Sequence, residues 1–190
     1  RLSGWAGDTA PRVMTANHGR GSQAAAGPTT YIWFGQTLSC NGAMPNSNTL
    51  PRSDGSLMLK RHSPSDWNLV GLYEPAAATF LLGWSASDWD NGSFAAGIHH
   101  PGGALKQISL GCKFGESNGE YCDVSMSGCF FAETWDINYT TGFTIGGSSG
   151  SPVMSGLGIV RGTLTGGPTD DCTVARYGRF DLAYQNLRYY

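Results

Sequence analysis

Short runs of β-branched and aromatic residues recur along the chain, and glycine, proline, asparagine or serine bounds each run. Runs of this length are typical of β-strands, whereas helical spacing of apolar residues is scarce. The pattern predicts strands at Arg12–Ala16, Tyr31–Gly35, Leu57–Arg61, Asn68–Leu72, Thr79–Gly83, Ala95–His99, Lys106–Leu110, Cys129–Ile137, Pro152–Met154, Gly158–Leu164 and Tyr177–Phe180. It therefore favours an all-β barrel protein.

One short helix is predicted at the end of the sequence, where Asp181 can cap Leu182–Arg188. The best internal boundary is the segment Glu74–Ala78, because a proline and small residues there separate two strand-like stretches. It divides the chain into an N-terminal half, 1–75, and a C-terminal half, 76–190, which together form one domain.

Composition and charge exclude two classes of partner. A net charge of −2 arises from 12 basic and 14 acidic residues without a long run of either sign, so nucleic acid is not expected as a partner. No apolar run approaches the roughly 18 residues that span a bilayer, so no membrane partner is expected. A hydrophobic content of 40% is ample for a packed core.

The cysteines indicate an oxidising compartment and disulfides. Five cysteines accompany 28 glycines and only 14% charged residues, a composition typical of secreted proteins. None of them has CxxC spacing, and the adjacent His99 and His100 would face opposite sides of a strand, so no metal site and no cofactor are predicted. The cysteines are Cys40, Cys112, Cys122, Cys129 and Cys172.

The segment Gly146–Pro152 carries the candidate nucleophile. Its glycines permit a sharp loop that points backbone N–H groups towards a serine hydroxyl, although such strings are also common in flexible turns. Ser148 formally satisfies the G-x-S-x-G elbow of α/β-hydrolases, in which the histidine follows the serine. All the histidines here precede it: His18, His62, His99 and His100. The order Asp, His, Ser of subtilisin requires an aspartate well ahead of the histidine and an α/β frame, which this strand-rich pattern does not provide, so only the order His, Asp, Ser remains.

A serine hydroxyl needs a base, and the base needs a group that orients it. His18 is the best base, because it follows the strand Arg12–Ala16 directly and is thereby both supported and accessible. Asp66 is the best orienting group, since it lies directly before an apolar strand and beside a tryptophan. The competing aspartates are Asp54, Asp88 and Asp90.

Three motifs in this order resemble those of chymotrypsin-like serine proteases: Thr15–Gly19, Ser65–Leu69 and Gly147–Pro152. The chain is most similar to the bacterial lysyl endopeptidases, in Ser148–Pro152, Ile98–Pro101, Gly166–Pro168 and Tyr177–Arg179. The resemblance implies two packed antiparallel six-stranded β-barrels and a serine endopeptidase that acts on a peptide or protein substrate. The alternatives are an inactive homologue that serves as a binding module, and an esterase with Ser148 as its nucleophile.

The resemblance also assigns roles to residues. Ser149 is the nucleophile, His18 is the general base and then acid, and Asp66 fixes the imidazole tautomer. The backbone N–H groups of Gly147 and Ser149 form the oxyanion hole. An extended substrate would pair with the strand Thr163–Gly166, with Gly166 and Gly167 at the mouth of the primary pocket. The substrate-binding residues so implied are Leu164, Thr165, Gly166 and Gly167.

The sequence departs from the lysyl endopeptidase pattern in two respects. Position 19 is glycine where the family has a cysteine, so the disulfide beside the histidine is expected to be missing. In addition, the 17 residues before His18 are too few for a complete first barrel. A further N-terminal segment or a second chain is therefore expected to complete the barrel and to supply the partner of Cys172. Ala175 and Thr165 replace the family's lysine-binding aspartate and a histidine, so no preference for lysine is expected. The nearby acids that could replace the aspartate are Asp170 and Asp171.

Overall fold

The structure, a computed structural model, describes residues 12–19, 27–32, 43, 45–76, 81–123 and 128–188. In this part of the chain β-strands predominate, and one α-helix closes it. The strands, numbered β1 to β12 in chain order, are Arg12–Ala16, Thr30–Ile32, Arg52–Asp54, Ser56–His62, Trp67–Leu72, Gly83–Trp84, Phe94–His99, Gln107–Asp123, Gly128–Thr141, Pro152–Ser155, Ile159–Gly166 and Val174–Arg179, and helix α1 is Phe180–Leu187.

The C-terminal strands form a closed barrel. The strand order is β10-β7-β8-β9-β12-β11, and antiparallel pairing of β10 with β11 closes the ring of six strands. The short strand β6 adds to β11 in parallel outside the ring. The barrel interior is filled by buried apolar side chains: Trp89, Ala95, Trp135, Ile137, Tyr139, Val153, Leu164, Ala175 and Tyr177.

The N-terminal strands form smaller sheets. In the described residues β5 lies between β1 and β4, with antiparallel pairing on both sides, and β2 pairs with β3 separately. The all-β class with a short C-terminal helix is therefore as predicted from the sequence. The division into 1–75 and 76–190 stays a prediction, and residues 77–80 lie outside the described part.

The largest difference from the predicted strands is the hairpin of β8 and β9. The sequence predicts strands at Lys106–Leu110 and Cys129–Ile137, whereas β8 runs on to Asp123 and pairs with β9 along most of its length. The extension is polar and carries no apolar run, so the period-2 pattern could not reveal it. Strand β3 was missed for the same reason, while positions 33–35 and 79–80 of two predicted strands lie outside the described residues.

The predicted cap of the final helix is wrong. Helix α1 begins at Phe180 rather than Leu182, and Arg179 occupies the N-cap position without a side-chain cap. Asp181 lies in the first turn instead, where its carboxylate accepts hydrogen bonds from the Arg179 guanidinium at 2.6 and 3.1 Å. Burial of Phe180 fixes the start of the helix, so β12 also ends one residue earlier than predicted.

Helix α1 joins the two halves of the molecule. Its buried residues Phe180, Ala183 and Leu187 form one apolar cluster with Trp67 and Leu69 of β5. The end of the chain therefore packs into the core of the N-terminal half. Within the described residues no helix has the length and apolar character needed to cross a membrane.

Candidate active site

Asp66 lies in a turn that is held by three hydrogen bonds to the end of β1. Its carboxylate accepts from the His18 backbone N–H at 2.8 Å and lies 2.7 Å from His18 Nδ1, and its backbone carbonyl accepts from the Asn17 N–H at 3.0 Å. Asp66 has a left-handed backbone (φ 47°, ψ 46°), which costs most residues about 1–2 kcal/mol but suits aspartate better than most. Burial leaves only 1% of Asp66 exposed.

These contacts orient the His18 imidazole. A carboxylate only accepts hydrogen bonds, so His18 Nδ1 carries the proton and donates the hydrogen bond to Asp66. Nε2 of the neutral ring then keeps a lone pair that can accept a proton. The ring of Phe130 stacks on the imidazole with centroids 5.3 Å apart and an angle of 15° between the planes. His18 is 8% exposed, so the imidazole is enclosed except where it faces a cleft.

Ser149 lies in the loop between β9 and β10 and is exposed, as a nucleophile must be. The glycines on either side, Gly147 and Gly150, have φ of +92° and +80°. A Cβ at Gly150 would overlap Thr15 of β1, so the missing side chain lets this loop approach the strand that carries His18. The Gly150 N–H donates to the Leu164 carbonyl at 2.8 Å, which anchors the loop to β11.

The backbone N–H groups of this loop divide into two sets. Those of Ser148, Gly150 and Ser151 donate to the carbonyls of Ile145, Leu164 and Ser148 at 3.0, 2.8 and 3.1 Å. Those of Ile145, Gly146, Gly147 and Ser149 have no hydrogen-bond acceptor among the described residues. The two N–H groups that the resemblance assigns to an oxyanion hole, on Gly147 and Ser149, belong to this second set.

A cleft of about 610 Å³ joins these groups. It contains His18 and Ser149, and all four predicted substrate-binding residues, Leu164 to Gly167, lie on its wall. The structure thus brings His18, Ser149 and the end of β11 to one cleft, with Asp66 buried behind the imidazole. The remaining lining residues are Glu120, Tyr121, Cys122, Phe130, Thr144, Ile145, Gly146, Pro168, Thr169, Cys172, Val174 and Arg176.

Position 175, which corresponds to the lysine-binding aspartate of the family, carries no carboxylate. Ala175 is fully buried in the barrel core rather than in the cleft, and Asp170 and Asp171 are not among the lining residues. Asp171 accepts hydrogen bonds from the Thr173 hydroxyl and backbone N–H, which lower the pKa of the Asp171 carboxyl. In the described lining, the acidic residue is the exposed Glu120 and the arginine is Arg176.

Ser148, the alternative nucleophile, points away from the cleft. It is 1% exposed and its hydroxyl lies 2.9 Å from Nδ1 of the buried His99, in a β-barrel rather than the α/β frame that the elbow motif requires. His100 does not contact the same groups as His99, because its Nδ1 lies 3.0 Å from the Ala104 carbonyl oxygen. The two histidines thus have separate protein partners.

Sequence reasoning missed the hairpin side of the cleft. The tips of β8 and β9 are joined by a Cys122–Cys129 disulfide, and Tyr121 and Phe130 beside it stack at 5.8 Å. The spacing of these two cysteines was the available signal. In the described residues Cys112 and Cys172 are free and exposed, while Cys40 lies outside them.

Comparisons with known proteins agree on one family. The sequence pattern of the family described as lysyl endopeptidase, C-terminal domain, matches residues 4–182. A lysyl endopeptidase of Pseudomonas aeruginosa is 32% identical over 162 residues, which are 82% of this chain and 33% of that protein. The chain therefore spans about a third of the length of this curated relative.

Solved structures share the fold at low sequence identity. The active form of the Rv3671c protease from M. tuberculosis aligns over 93% of this chain and 68% of its own, with a TM-score of 0.63 and 16% identity. The HtrA-type protease AlgW with a decapeptide aligns over 95% of this chain and 48% of its own, with a TM-score of 0.64 and 10% identity. Both support the chymotrypsin-like assignment of the barrel.

Proposed function

Because the chain belongs to the lysyl endopeptidase C-terminal domain family, we propose that it is a serine endopeptidase that cleaves peptide bonds through an acyl-enzyme. The single observation that carries the proposal is the pair of N–H groups without acceptors, on Gly147 and Ser149, in a loop that shares a cleft with the oriented His18 imidazole. Acyl transfer needs a nucleophile, a base and an oxyanion site together.

The proposed reaction proceeds in two halves. Nε2 of His18 takes the proton of the Ser149 hydroxyl as Oγ attacks the substrate carbonyl carbon, and the resulting oxyanion accepts from the Gly147 and Ser149 N–H groups. The protonated imidazole then gives its proton to the leaving amine, and the acyl-enzyme forms. Water, activated by the same nitrogen, attacks the ester and releases the acid. Asp66 stabilises the imidazolium in both halves.

The substrate is proposed to be an extended peptide that lies along Leu164–Gly167. Gly166 ends β11, and Gly167 packs so closely on the Val174 carbonyl that a side chain would not fit. The AlgW comparison structure holds a decapeptide, which is consistent with peptide binding on this fold. Preference for lysine is not part of the proposal, because the buried Ala175 offers no carboxylate.

Labelling with a fluorophosphonate tests the proposed function. We expect the folded protein to be labelled at Ser149, and labelling to vanish in Ser149→Ala but persist in the matched control Ser155→Ala at the end of β10. Labelling mapped to Ser148 would contradict the mechanism and favour the esterase. Folded protein that stays unlabelled would instead favour the inactive binding module.

A peptide library supplies the second measurement. We expect cleavage products to show a preferred residue before the scissile bond other than lysine. A dominant preference for lysine would contradict the expectation that a cleft with alanine at position 175 has no lysine-binding carboxylate.

We also propose that the protein acts outside the cell. The Cys122–Cys129 disulfide supports this, since such bonds persist in oxidising compartments. Fractionation of the producing cells checks it, and recovery of the protein from the cytosol with both thiols reduced would contradict it. Completion of the first barrel by a further segment or chain stays a prediction.

A further inference from the structure

Behind the loop that carries Ser149, a buried histidine links three elements through hydrogen bonds. His99 of β7 is 2% exposed; its Nδ1 lies 2.9 Å from Ser148 Oγ, and its Nε2 lies 3.0 Å from the hydroxyl of Ser109 on β8. Ser109 in turn donates to the Phe143 carbonyl at 3.2 Å. None of these side chains faces the cleft or enters the proposed reaction.

The direction of every hydrogen bond in this chain follows from its last acceptor. A carbonyl only accepts, so the single proton of the Ser109 hydroxyl points to Phe143. Nε2 of His99 must then donate to Ser109, and Nδ1, which has only a lone pair in the neutral ring, accepts from Ser148. Burial lowers the pKa of His99, with a smaller contribution from His100, which favours this neutral form.

The series of hydrogen bonds through His99 begins at Ser148 and finishes at the Phe143 carbonyl, and these two residues bound one loop segment. Phe143 begins the segment 143–148 just after β9, and Ser148 ends it just before the nucleophile. The segment forms part of the cleft wall with Thr144, Ile145 and Gly146, and it contains Gly147, whose N–H has no acceptor. One imidazole therefore fixes both ends of the loop that presents an oxyanion donor.

The residues that follow His99 support the same loop from its other side. The Gly102 N–H donates to the Gly146 carbonyl at 2.8 Å, and a Cβ on Gly147 would come within 3.2 and 3.3 Å of the backbone nitrogens of Gly102 and Gly103. With φ of +92°, Gly147 also has a backbone conformation that a residue with a side chain rarely adopts, so this close approach requires glycine. The loop is thus held between the His99 side chain and the turn after it.

On the proposed function given above, we propose that His99 is a positioning residue for the oxyanion hole, acting through Ser148. It touches neither substrate nor the reacting atoms. Its hydrogen bond holds Ser148, and Ser148 separates the two donors at Gly147 and Ser149. Loss of the bond lets these N–H groups diverge, which weakens transition-state stabilisation and leaves ground-state binding of the peptide in place.

Three variants test this role. Ser148→Ala removes the hydroxyl that donates to His99 Nδ1. In His99→Gln the side-chain amide reaches the position of Nε2 and can keep the Ser109 contact only, whereas in His99→Asn it reaches the position of Nδ1 and can keep the Ser148 contact. The matched control is Ser155→Ala at the end of β10, whose hydroxyl donates to the Ile159 carbonyl at 3.4 Å and has no hydrogen bond with the loop 143–148.

We expect Ser148→Ala and His99→Gln each to lower kcat by about 10- to 100-fold with KM within about 3-fold, since a displacement of about 1 Å in an active site can cost 10²-fold. A peptide boronic acid, which places a tetrahedral oxyanion in the hole, should lose affinity by a similar factor. The double variant should be no worse than the worse single variant, because both changes remove one bond. His99→Asn should recover kcat to within about 3-fold of the unaltered protein.

Unchanged kcat in Ser148→Ala, a loss carried by KM alone, or full boronic acid affinity would overturn the inference. Thermal unfolding of each variant and of Ser155→Ala separates these results from loss of folded protein. Fluorophosphonate labelling of the unaltered protein at Ser149 is measured first. If that labelling fails, the proposed function is wrong. If it succeeds and kcat does not respond to the variants, only the role of His99 is wrong.

Discussion

At the scale of single residues, the site depends on Asp66 in an unusual backbone conformation. It is the non-glycine residue with positive φ in the described chain, and it makes contacts to both the ring and the backbone of His18. The backbone contact means that Asp66 orders the end of β1 as well as the imidazole. A change at this position can therefore affect both the geometry and the charge of the site, and a useful variant must keep the geometry.

Asp66→Asn meets this requirement, because asparagine also tolerates left-handed φ and retains an acceptor for the His18 N–H. The amide cannot favour the tautomer with the proton on Nδ1 or stabilise an imidazolium. We expect kcat to fall by about 10⁴-fold, the size of this change in a Ser-His-Asp triad, with little loss of thermal stability. Peptide hydrolysis kinetics give the measurement.

The control is Asp54→Asn, since Asp54 is an exposed competitor whose carboxylate accepts from Thr30 and which has no contact with His18. Activity of Asp66→Asn within 10-fold of the unaltered protein would show that the role assigned to Asp66 is wrong.

At the scale of elements, close backbone approaches bring the loops of the candidate site together. Strand β12 passes the turn before Asp66 so closely that a Cβ at Gly178 would overlap the Ser65 carbonyl oxygen. Ser65 is fully buried, and its hydroxyl lies 2.8 Å from His62 Nδ1. Strand β12 thus packs directly against the turn that carries Asp66.

Gly178→Ala should separate β12 from this turn. We expect the free energy of unfolding to fall by about 1–3 kcal/mol, the usual cost of overpacking, and kcat to fall as the Asp66 turn shifts. Gly119→Ala in β8 is the matched control, because nothing lies within 4 Å of a Cβ there. That change should be neutral or stabilising by up to about 1 kcal/mol, since alanine suits a strand better than glycine.

Urea unfolding monitored by tryptophan fluorescence gives both free energies. Equal effects of the two alanine substitutions would contradict the importance of the contact between β12 and Ser65.

At the scale of the whole molecule, the candidate site lies between the N-terminal sheets and the C-terminal barrel. His18 and Asp66 belong to the N-terminal sheets and Ser149 to the barrel, while α1 joins the two through the cluster of Phe180 with Trp67 and Leu69. The relative placement of the catalytic groups therefore depends on how firmly α1 packs against β5.

Phe180→Ala should loosen this contact. Phe180 is 2% exposed, and truncation of a buried phenylalanine costs about 3–5 kcal/mol of stability. We expect activity to be lost at a lower urea concentration than in the unaltered protein, together with the unfolding signal. Phe131→Ala is the matched control, because Phe131 is 64% exposed and its loss should cost under about 1 kcal/mol. Comparable losses in both variants would refute the joining role of α1.

The sequence best predicted the structure where a short apolar strand is followed directly by a residue of a recognisable motif. Strand β1 has the predicted bounds, because apolar spacing and the following His18 mark its end. The contact of His18 with Asp66 could be anticipated from motif order. The long polar hairpin, the aromatic stack on His18 and the hydrogen bonds of His99 could not, because they depend on pairing between residues far apart in sequence. The roles of His18, Asp66 and Ser149 themselves stay predictions until they are measured.

The packing of α1 has a consequence for when the protein can begin to work. The helix contains positions 180–187, and its side chains complete a core whose other members lie at positions 67 and 69. A nascent chain still held at the ribosome before Phe180 emerges lacks those side chains, so the N-terminal half has an unfinished core. Ser149 likewise follows His18 and Asp66 in the chain, so the three groups of the candidate site cannot meet before the loop at positions 146–152 has been made. Order of synthesis alone thus delays assembly of the candidate site until these residues have been made.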